Sequence, residues 1–177
     1  FYLHIETNRS NELLIWLNNL DPVEFAYELS SKLVPASSYS NTPDLTGNQE
    51  HLFDPDGPHL ERAWDYPFGT GAGTTVVDIE AGCFRFHEDL EHKLGNDSAV
   101  IGGICSNNED YRYHGTSVAG LLVAGDNGFG VTGICHEAAM KLYFCTGLLA
   151  LPSSINESQA AVEPGDILLL EMQVAGP

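Results

Sequence analysis

The sequence predicts an α/β protein in which helices cover both faces of a parallel sheet. Several apolar segments of strand length lack strict alternation of apolar and polar residues, which is typical of strands buried on both faces. These segments are separated by stretches with a helical pattern, an order that favours parallel strands. A chain of 177 residues with 43% hydrophobic residues is long enough and apolar enough to bury such a core.

The predicted elements follow one another after residue 60. The first strand, 74–79, is rich in β-branched residues and contains Asp78 near its end. The second is 98–103, and a helix is predicted over 114–124. A third strand over 141–145 precedes a helix over 154–162 that Ser153 or Ser154 is expected to cap. Gly165 and Asp166 then introduce a short apolar strand over 167–170.

The part of the chain before residue 60 is organised differently. Residues 1–30 have the pattern of a small strand–helix–strand unit, which is too short to hold a core of its own. Residues 31–59 are rich in Ser, Pro, Asn and Asp, and therefore predict a linker or an extended segment lying on a larger body. The predicted organisation is 1–30, a small α+β unit; 31–59, a linker; and 60–177, an α/β domain.

Composition excludes some classes of function. Seven Lys and Arg residues stand against 25 Asp and Glu residues, a net charge of −18 that repels phosphate backbones and argues against a nucleic-acid partner. No apolar run is long enough to cross a membrane. The four cysteines form no C-x-x-C pair, so a structural zinc site is not expected. They are compatible with secretion and two disulfides in any of three pairings, or equally with four free thiols.

Two residues carry the chemistry. Asp78 ends an apolar strand, where functional groups collect in parallel sheets, although an aspartate there is also a common turn or capping residue. His114 opens the segment HGTSVAG at the predicted start of a helix. A histidine held in this way accepts a proton from a hydroxyl nucleophile when a carboxylate orients its other ring nitrogen. A histidine packed at the helix start for shape alone is the other interpretation, and it is favoured when such a histidine stands by itself.

Three segments in this order resemble the subtilisin-like serine peptidases: VVD at 76–78, FHEDL at 86–90 and HGTSVAG at 114–120. The segments 128–134 and 140–143 are also similar to that family, and the resemblance covers about residues 60–177. It implies a subtilisin-like fold and peptide-bond hydrolysis through an acyl-enzyme. Asp78 is then expected to orient His114, and His114 to act as general base and then general acid.

The sequence departs from the family pattern at two points. The family's Asp is followed by Ser or Thr and then Gly, but Ile79 and Glu80 follow Asp78 here, so an extra carboxylate lies near the site. The nucleophilic Ser of the family lies far downstream in a Gly-Thr-Ser-x-Ala segment, and the Gly-Thr-Ser at 115–117 belongs to the histidine motif instead. We therefore expect an amino-terminal part of a peptidase, inactive alone, that requires the missing carboxyl-terminal part or a partner chain.

The resemblance also implies how a peptide substrate binds. Glu171, Met172 and Gln173 follow the last strand and correspond to the family's substrate-binding edge, where their main-chain atoms would pair with an extended peptide. The ragged end of an ordinary core strand explains these three residues almost as well. Residues 18–27 resemble the end of the family's inhibitor propeptide, which implies a secreted zymogen with its maturation site in 31–59.

A calcium site is a further implication of the resemblance. Asp89 and Asn127 match family ligands, and Gln49 is the residue expected to reach the ion from the linker. Their oxygen atoms suit Ca²⁺. A solvated acidic loop is the alternative interpretation of the same residues.

Two rival functions remain at this stage. The chain could be a non-catalytic truncated pseudopeptidase or a binding subunit, which a Gly-Thr-Ser-x-Ala segment in the natural protein would exclude. A weaker hypothesis is a metal-dependent hydrolase that uses His87, Glu88, Asp89 and His92, among which only i,i+4 pairs share a helical face.

Overall fold

The computed structural model describes residues 42–53, 56 and 58–173, so the predicted unit 1–30 lies outside the described residues. The strands of the described part are β1 (Thr75–Glu80), β2 (Val100–Gly103), β3 (Ala139–Phe144) and β4 (Ile167–Leu170). Its α-helices are α1 (Glu50–Phe53), α2 (Glu91–Leu94), α3 (Glu109–Val123) and α4 (Leu151–Ser158). Short 3₁₀ helices span Thr46–Asn48, Leu60–Asp65, Asp97–Ala99 and Gln159–Ala161.

The four strands form one parallel sheet in the order β2-β3-β1-β4. Asp78 of β1 lies opposite Leu142 of β3 and Leu169 of β4. The strand β1 is therefore flanked on both sides. Its carboxyl end lies near the middle of the edge at which the parallel strands end, where functional groups collect in such folds. The predicted parallel α/β architecture is confirmed.

Helices cover both faces of this sheet. Met140 and Leu142 of β3 belong to one buried cluster with Ala119 and Val123 of α3, so they face that helix. Tyr143 points to the opposite face because side chains alternate along a strand, and its hydroxyl donates to Glu157 of α4 at 2.9 Å. Each face of the sheet thus buries apolar surface against a helix, as the sequence pattern predicted.

Two helix starts differ from the prediction. Helix α3 begins at Glu109 because the side chain of Asn108 caps it, accepting from the Asp110 N–H at 2.9 Å. His114 consequently lies in the second turn and not at the helix start. Helix α4 begins at Leu151 without a side-chain cap, so the predicted cap at Ser153 or Ser154 is wrong. Both hydroxyls donate to carbonyl groups one turn earlier.

Part of the predicted linker lies directly on the body of the domain. Leu45 N–H donates to the Gly130 carbonyl at 2.7 Å, and Gly130 N–H donates to the Pro43 carbonyl at 2.9 Å. The side chain of Leu52 is fully buried. The described part of 31–59 is therefore a segment packed on a larger body. Of the helices in the described part of the chain, none has the length and apolar character needed to cross a bilayer.

Candidate active site

The carboxyl edge of β1 holds an acid–histidine pair. The Nδ1 atom of His114 lies 2.7 Å from Oε2 of Glu80. The Glu80 side chain is 3% exposed, whereas that of His114 is 52% exposed. Because a carboxylate can only accept, the Nδ1–H of His114 donates to it, and in the neutral form of the ring Nε2 is then the acceptor. This is the tautomer that a general base requires.

Glycine allows this close approach between β1 and α3. A Cβ atom on Gly115 would lie 2.4 Å from Cγ of Glu80 and 2.1 Å from the carbonyl oxygen of Gly82. Both distances are shorter than any tolerable contact, so only glycine fits next to His114 on this side of the helix. The other carboxylate oxygen of Glu80, Oε1, accepts from the Ala81 N–H at 2.7 Å, which fixes the side chain at the strand end.

A threonine links the loop after β1 to the same helix. The Thr116 hydroxyl accepts from the Phe84 N–H at 2.8 Å and donates to the Arg112 carbonyl at 2.7 Å. The second contact is within α3, so the first one holds the loop against the helix next to His114. The HGT segment thus contributes one chemical group, one close-packing position and one loop contact.

Asp78 does not form the predicted hydrogen bond to His114. Its side chain is fully buried, and neither carboxylate oxygen has a hydrogen-bond partner in the described part of the chain. Burial, followed by the nearby charges of Glu80 and Glu171, raises the pKa of Asp78 to about 7, although His114 acts in the opposite direction. The prediction that Asp78 orients His114 is therefore wrong, because Asp78 lies one pleat deeper in the sheet than the strand end.

Glu80 was the residue that sequence reasoning missed. The signal that identifies it was present, since Glu80 is followed by Ala81 and Gly82, a small residue and then glycine. The family pattern of an acid, a small residue and glycine thus fits Glu80 with an Asp-to-Glu change, two positions after the aspartate that attracted the assignment. Glutamate has one more methylene group, and the missing side chain of Gly115 leaves room for it.

A groove of about 690 Å³ opens in front of the pair. Glu80 and His114 line it together with Glu171, Met172 and Gln173, so the structure brings the predicted substrate-binding residues to the predicted base. The Glu171 N–H already donates to the Ile79 carbonyl of β1 at 3.3 Å, so this amide is not free for a peptide. Of the described residues that line the groove, three are acidic and none is Lys or Arg.

The hydroxyl of Ser117, the serine of the histidine motif, is hydrogen-bonded within its own helix. The Ser117 hydroxyl donates to the Tyr113 carbonyl of its own helix at 2.9 Å. Within the described ranges, no serine hydroxyl is hydrogen-bonded to His114. The expectation that Ser117 is not the nucleophile agrees with this contact.

The structure brings Asp89 and Asn127 together but engages Gln49 elsewhere. Asp89 Oδ2 accepts from the Val131 N–H at 3.3 Å, and the Asn127 side chain lies close enough to act on the pKa of Asp89 in the lowering direction. Asp89 Oδ1 is buried without a partner among the described residues, and burial raises the pKa of this carboxyl group. The amide of Gln49 donates to the Thr132 carbonyl at 2.9 Å and accepts from the Thr132 N–H at 2.8 Å.

The metal-hydrolase hypothesis has no structural support. Across residues 42–53, 56 and 58–173, no group of three or more His, Cys, Asp or Glu side chains could hold a metal ion. Glu88 accepts from the Thr42 hydroxyl at 2.7 Å, so it contacts the segment 31–59 that precedes the domain in the predicted organisation. His87, Glu88, Asp89 and His92 therefore do not form the predicted ligand set.

A parallel α/β sheet with a carboxylate–imidazole pair at the carboxyl edge of its first strand resembles the arrangement in subtilisin-like serine peptidases. A stretch of 75 residues is 33% identical to the major intracellular serine protease of Bacillus subtilis (strain 168). It comprises 41% of this chain and 24% of that protein. This match confirms the predicted resemblance to serine peptidases of that kind. No family model matches the chain.

Two solved structures of proteases match part of this chain. A structure described as proteases from Pseudoalteromonas arctica PAMC 21717 has a TM-score of 0.45 at 24% identity and covers 60% of this chain and 40% of its own. A serine protease of Aeromonas sobria has a TM-score of 0.43 at 22% identity and covers 67% of this chain and 23% of its own. This chain thus spans less than half the length of each relative. The Bacillus relative is intracellular by its name, so it lends no support to the predicted secretion.

Proposed function

We propose that this chain supplies the acid–base pair and part of the peptide groove of a subtilisin-type serine endopeptidase. The observation that carries the proposal is the 2.7 Å contact between His114 Nδ1 and the buried carboxylate of Glu80. Nε2 of His114 accepts the proton of a serine hydroxyl while the oxygen attacks the peptide carbonyl, and then returns it to the leaving amine. Glu80 holds the ring in the required tautomer and stabilises the imidazolium that forms between these steps.

The nucleophilic serine, in this proposal, comes from sequence that is not among these 177 residues. It belongs either to a further part of the same protein or to a partner chain. The position of β4 supports this, because β1 pairs with one of its edges and no described strand pairs with the other. Ile167 and Leu170 of β4 are also about half exposed, so this edge has both free backbone groups and apolar surface for a further strand.

The substrate is, in this proposal, an extended peptide that enters the groove beside Met172 and Gln173. These residues follow β4, and the Glu171 amide between them and the strand is directed toward β1. Along an extended segment, the N–H and C=O groups of successive residues point to opposite sides. The backbone groups of Met172 would therefore face away from β1, toward the unpaired edge. A peptide paired there would pass in front of His114, which lines the same groove.

Fluorophosphonate labelling of the intact natural protein, with its full coding sequence, tests this function. We expect one serine to react, and the reaction to be lost in His114→Ala and strongly reduced in Glu80→Gln. Glu88→Gln is the matched control, because Glu88 contacts Thr42 and does not line the groove. If the intact protein carries no reactive serine while it still binds peptides, it is the non-catalytic binding subunit instead.

We also propose that Asp89 and Asn127 bind a structural Ca²⁺ ion. The buried and unpartnered Oδ1 of Asp89 supports this, because a carboxylate oxygen without a donor is stabilised by a cation. Gln49 is left out of the ligand set because both atoms of its amide pair with Thr132. The ion would join the loop after α3 to the segment before α2 and would take no part in catalysis.

Secretion and the removal of residues 1–30 as a propeptide remain predictions. Amino-terminal sequencing of the protein recovered separately from cells and from medium tests both. A mature protein that begins within 31–59 and is found in the medium would support them, whereas an uncleaved protein found only in cells would contradict them.

A further inference from the structure

Two of the four cysteines lie next to each other beside the active site. All four are free thiols, and the sequence alone allowed three pairings. The sulfur of Cys105 lies 3.8 Å from the carbonyl oxygen of Cys83. Cys105 also packs against the buried cluster that contains Cys83, and it is the one cysteine whose charge acts on that thiol.

One backbone hydrogen bond joins the segments that carry these two residues. Ser106 N–H donates to the Ala81 carbonyl at 3.0 Å, so the loop after β1 lies directly against the segment that leads into α3. Segments joined by a direct backbone hydrogen bond lie about 5 Å apart, which is within the Cα separation that a disulfide spans. The Cys105 sulfur packs close to Gly82, where an added Cβ atom would lie 3.4 Å from this sulfur and 2.9 Å from Cγ of Arg112.

The other two cysteines cannot bridge to each other in this fold. Strand β3 (Ala139–Phe144) separates Cys135 from Cys145. Its six residues extend over about 20 Å, three times the span of a disulfide. The Cys135 thiol contacts the Leu122 carbonyl, and the Cys145 thiol contacts the Gly147 carbonyl. A scheme with two disulfides that includes Cys83–Cys105 is therefore excluded, and one bridge with two free thiols is left.

We propose that Cys83 and Cys105 form a disulfide that clamps the loop after Glu80 to the segment leading into the His114 helix. The oxidant is a small-molecule disulfide such as glutathione disulfide. The half-buried Cys105 thiolate attacks it and releases one glutathione thiolate, leaving a mixed disulfide. The Cys83 thiolate then attacks the Cys105 sulfur and releases the second glutathione, so two protein thiols are oxidised and one glutathione disulfide is reduced.

The second step controls the rate. Burial is the main cause that raises the pKa of Cys83 to about 11, so its thiolate is scarce at neutral pH. Bridge formation is therefore expected to accelerate about tenfold per pH unit between pH 7 and 9, if the mixed disulfide forms readily. The bridge itself restrains the two segments that carry the acid–base pair.

Equilibration of the purified 177-residue chain in glutathione buffers of graded ratio tests the proposal without reference to peptidase activity. After acid quenching and digestion, mass spectrometry is expected to find a Cys83–Cys105 linked peptide as the dominant protein disulfide. The double variant Cys135→Ser/Cys145→Ser should bridge to the same extent, and Cys105→Ser should not bridge. The bridged form should melt roughly 5–10 °C higher than the reduced form.

Two results would overturn the proposal. One is a lasting glutathione adduct on Cys105 with Cys83 still reduced at pH 9. The other is a linked peptide that contains Cys135 or Cys145 in the wild-type chain. Circular dichroism of Cys105→Ser shows whether that variant folds, so a missing bridge in it can be assigned to the lost thiol. Because no activity is measured, failure here leaves the proposed peptidase function untouched.

Discussion

Asp78 and Glu80 stand two positions apart on β1, so both carboxyl groups face the α3 side of the sheet. Glu80 at the strand end reaches Nδ1 of His114, whereas Asp78 is buried below it without a hydrogen-bond partner in the described residues. Burial and then the charge of Glu80 disfavour an ionised Asp78. The pKa of Asp78, raised to about 7, means that this group is mostly protonated in mildly acidic solution and holds no fixed negative charge there.

Asp78 should make the folded chain less stable as pH rises. The pKa of this carboxyl is 3.8 when unfolded and about 7 when folded, so its contribution is fully present below pH 4 and is lost as pH rises to about 7. The loss is on the order of 4 kcal/mol. Asp78→Asn should remove most of this dependence, as measured by urea unfolding at pH 4.5 and 7.5. The exposed Asp126→Asn is the control, and an unchanged slope in Asp78→Asn would refute the assignment.

Glu80 should determine the tautomer of His114. In the wild-type chain, ¹⁵N NMR of the neutral imidazole is expected to show the proton on Nδ1, because the carboxylate accepts from that atom. In Glu80→Gln the amide both donates and accepts, so the preference should be lost and activity of the intact enzyme should fall about 10²–10⁴-fold. Glu171 lines the same groove, but Nδ1 of His114 is hydrogen-bonded to Glu80. The control variant Glu171→Gln should therefore leave the tautomer unchanged. An Nδ1-protonated ring in both variants would mean that Glu80 does not orient it.

Gly115 should tolerate no side chain. Gly115→Ala forces Cβ into Glu80 and the Gly82 carbonyl and should destabilise the chain by about 1–3 kcal/mol. Gly120→Ala on the same helix is the matched control, since a Cβ there meets nothing within 4 Å. It should be neutral or stabilise the helix by up to about 1 kcal/mol. Thermal and urea unfolding measure both, and equal effects of the two substitutions would contradict the close packing.

Calcium should raise the melting temperature if Asp89 anchors a site. The shift should grow with the concentration of free Ca²⁺, be reversed by a chelator and be absent in Asp89→Asn. Asp97→Asn, an exposed carboxylate that pairs loosely with Arg85, should respond like the wild type. A shift of the same size in Asp89→Asn would show that Ca²⁺ binds elsewhere on this acidic chain.

Much of the site was predictable from residue pattern. The parallel sheet follows from periodicity, and the placement of His114 on a helix follows from its motif. The meeting of Glu171, Met172 and Gln173 with His114 in one groove was implied by the family resemblance. The helix start was misplaced because the Asn108 cap lies in a polar stretch without apolar periodicity. The acid was misassigned because Asp78 and Glu80 are both carboxylates on one face of one strand, and the small residue and glycine that mark Glu80 lie after the predicted strand end.

The sequence by itself therefore determined the architecture and identified His114 as the candidate base, since strand and helix periodicities and the HGT motif are local properties. Only the tertiary structure decided which carboxylate orients His114. That choice depends on where β1 ends relative to α3 and on the space that Gly115 leaves for the longer glutamate side chain. It likewise decided which cysteines meet, because Cys83 and Cys105 are brought together by the contact between Ala81 and Ser106 and not by their spacing along the chain.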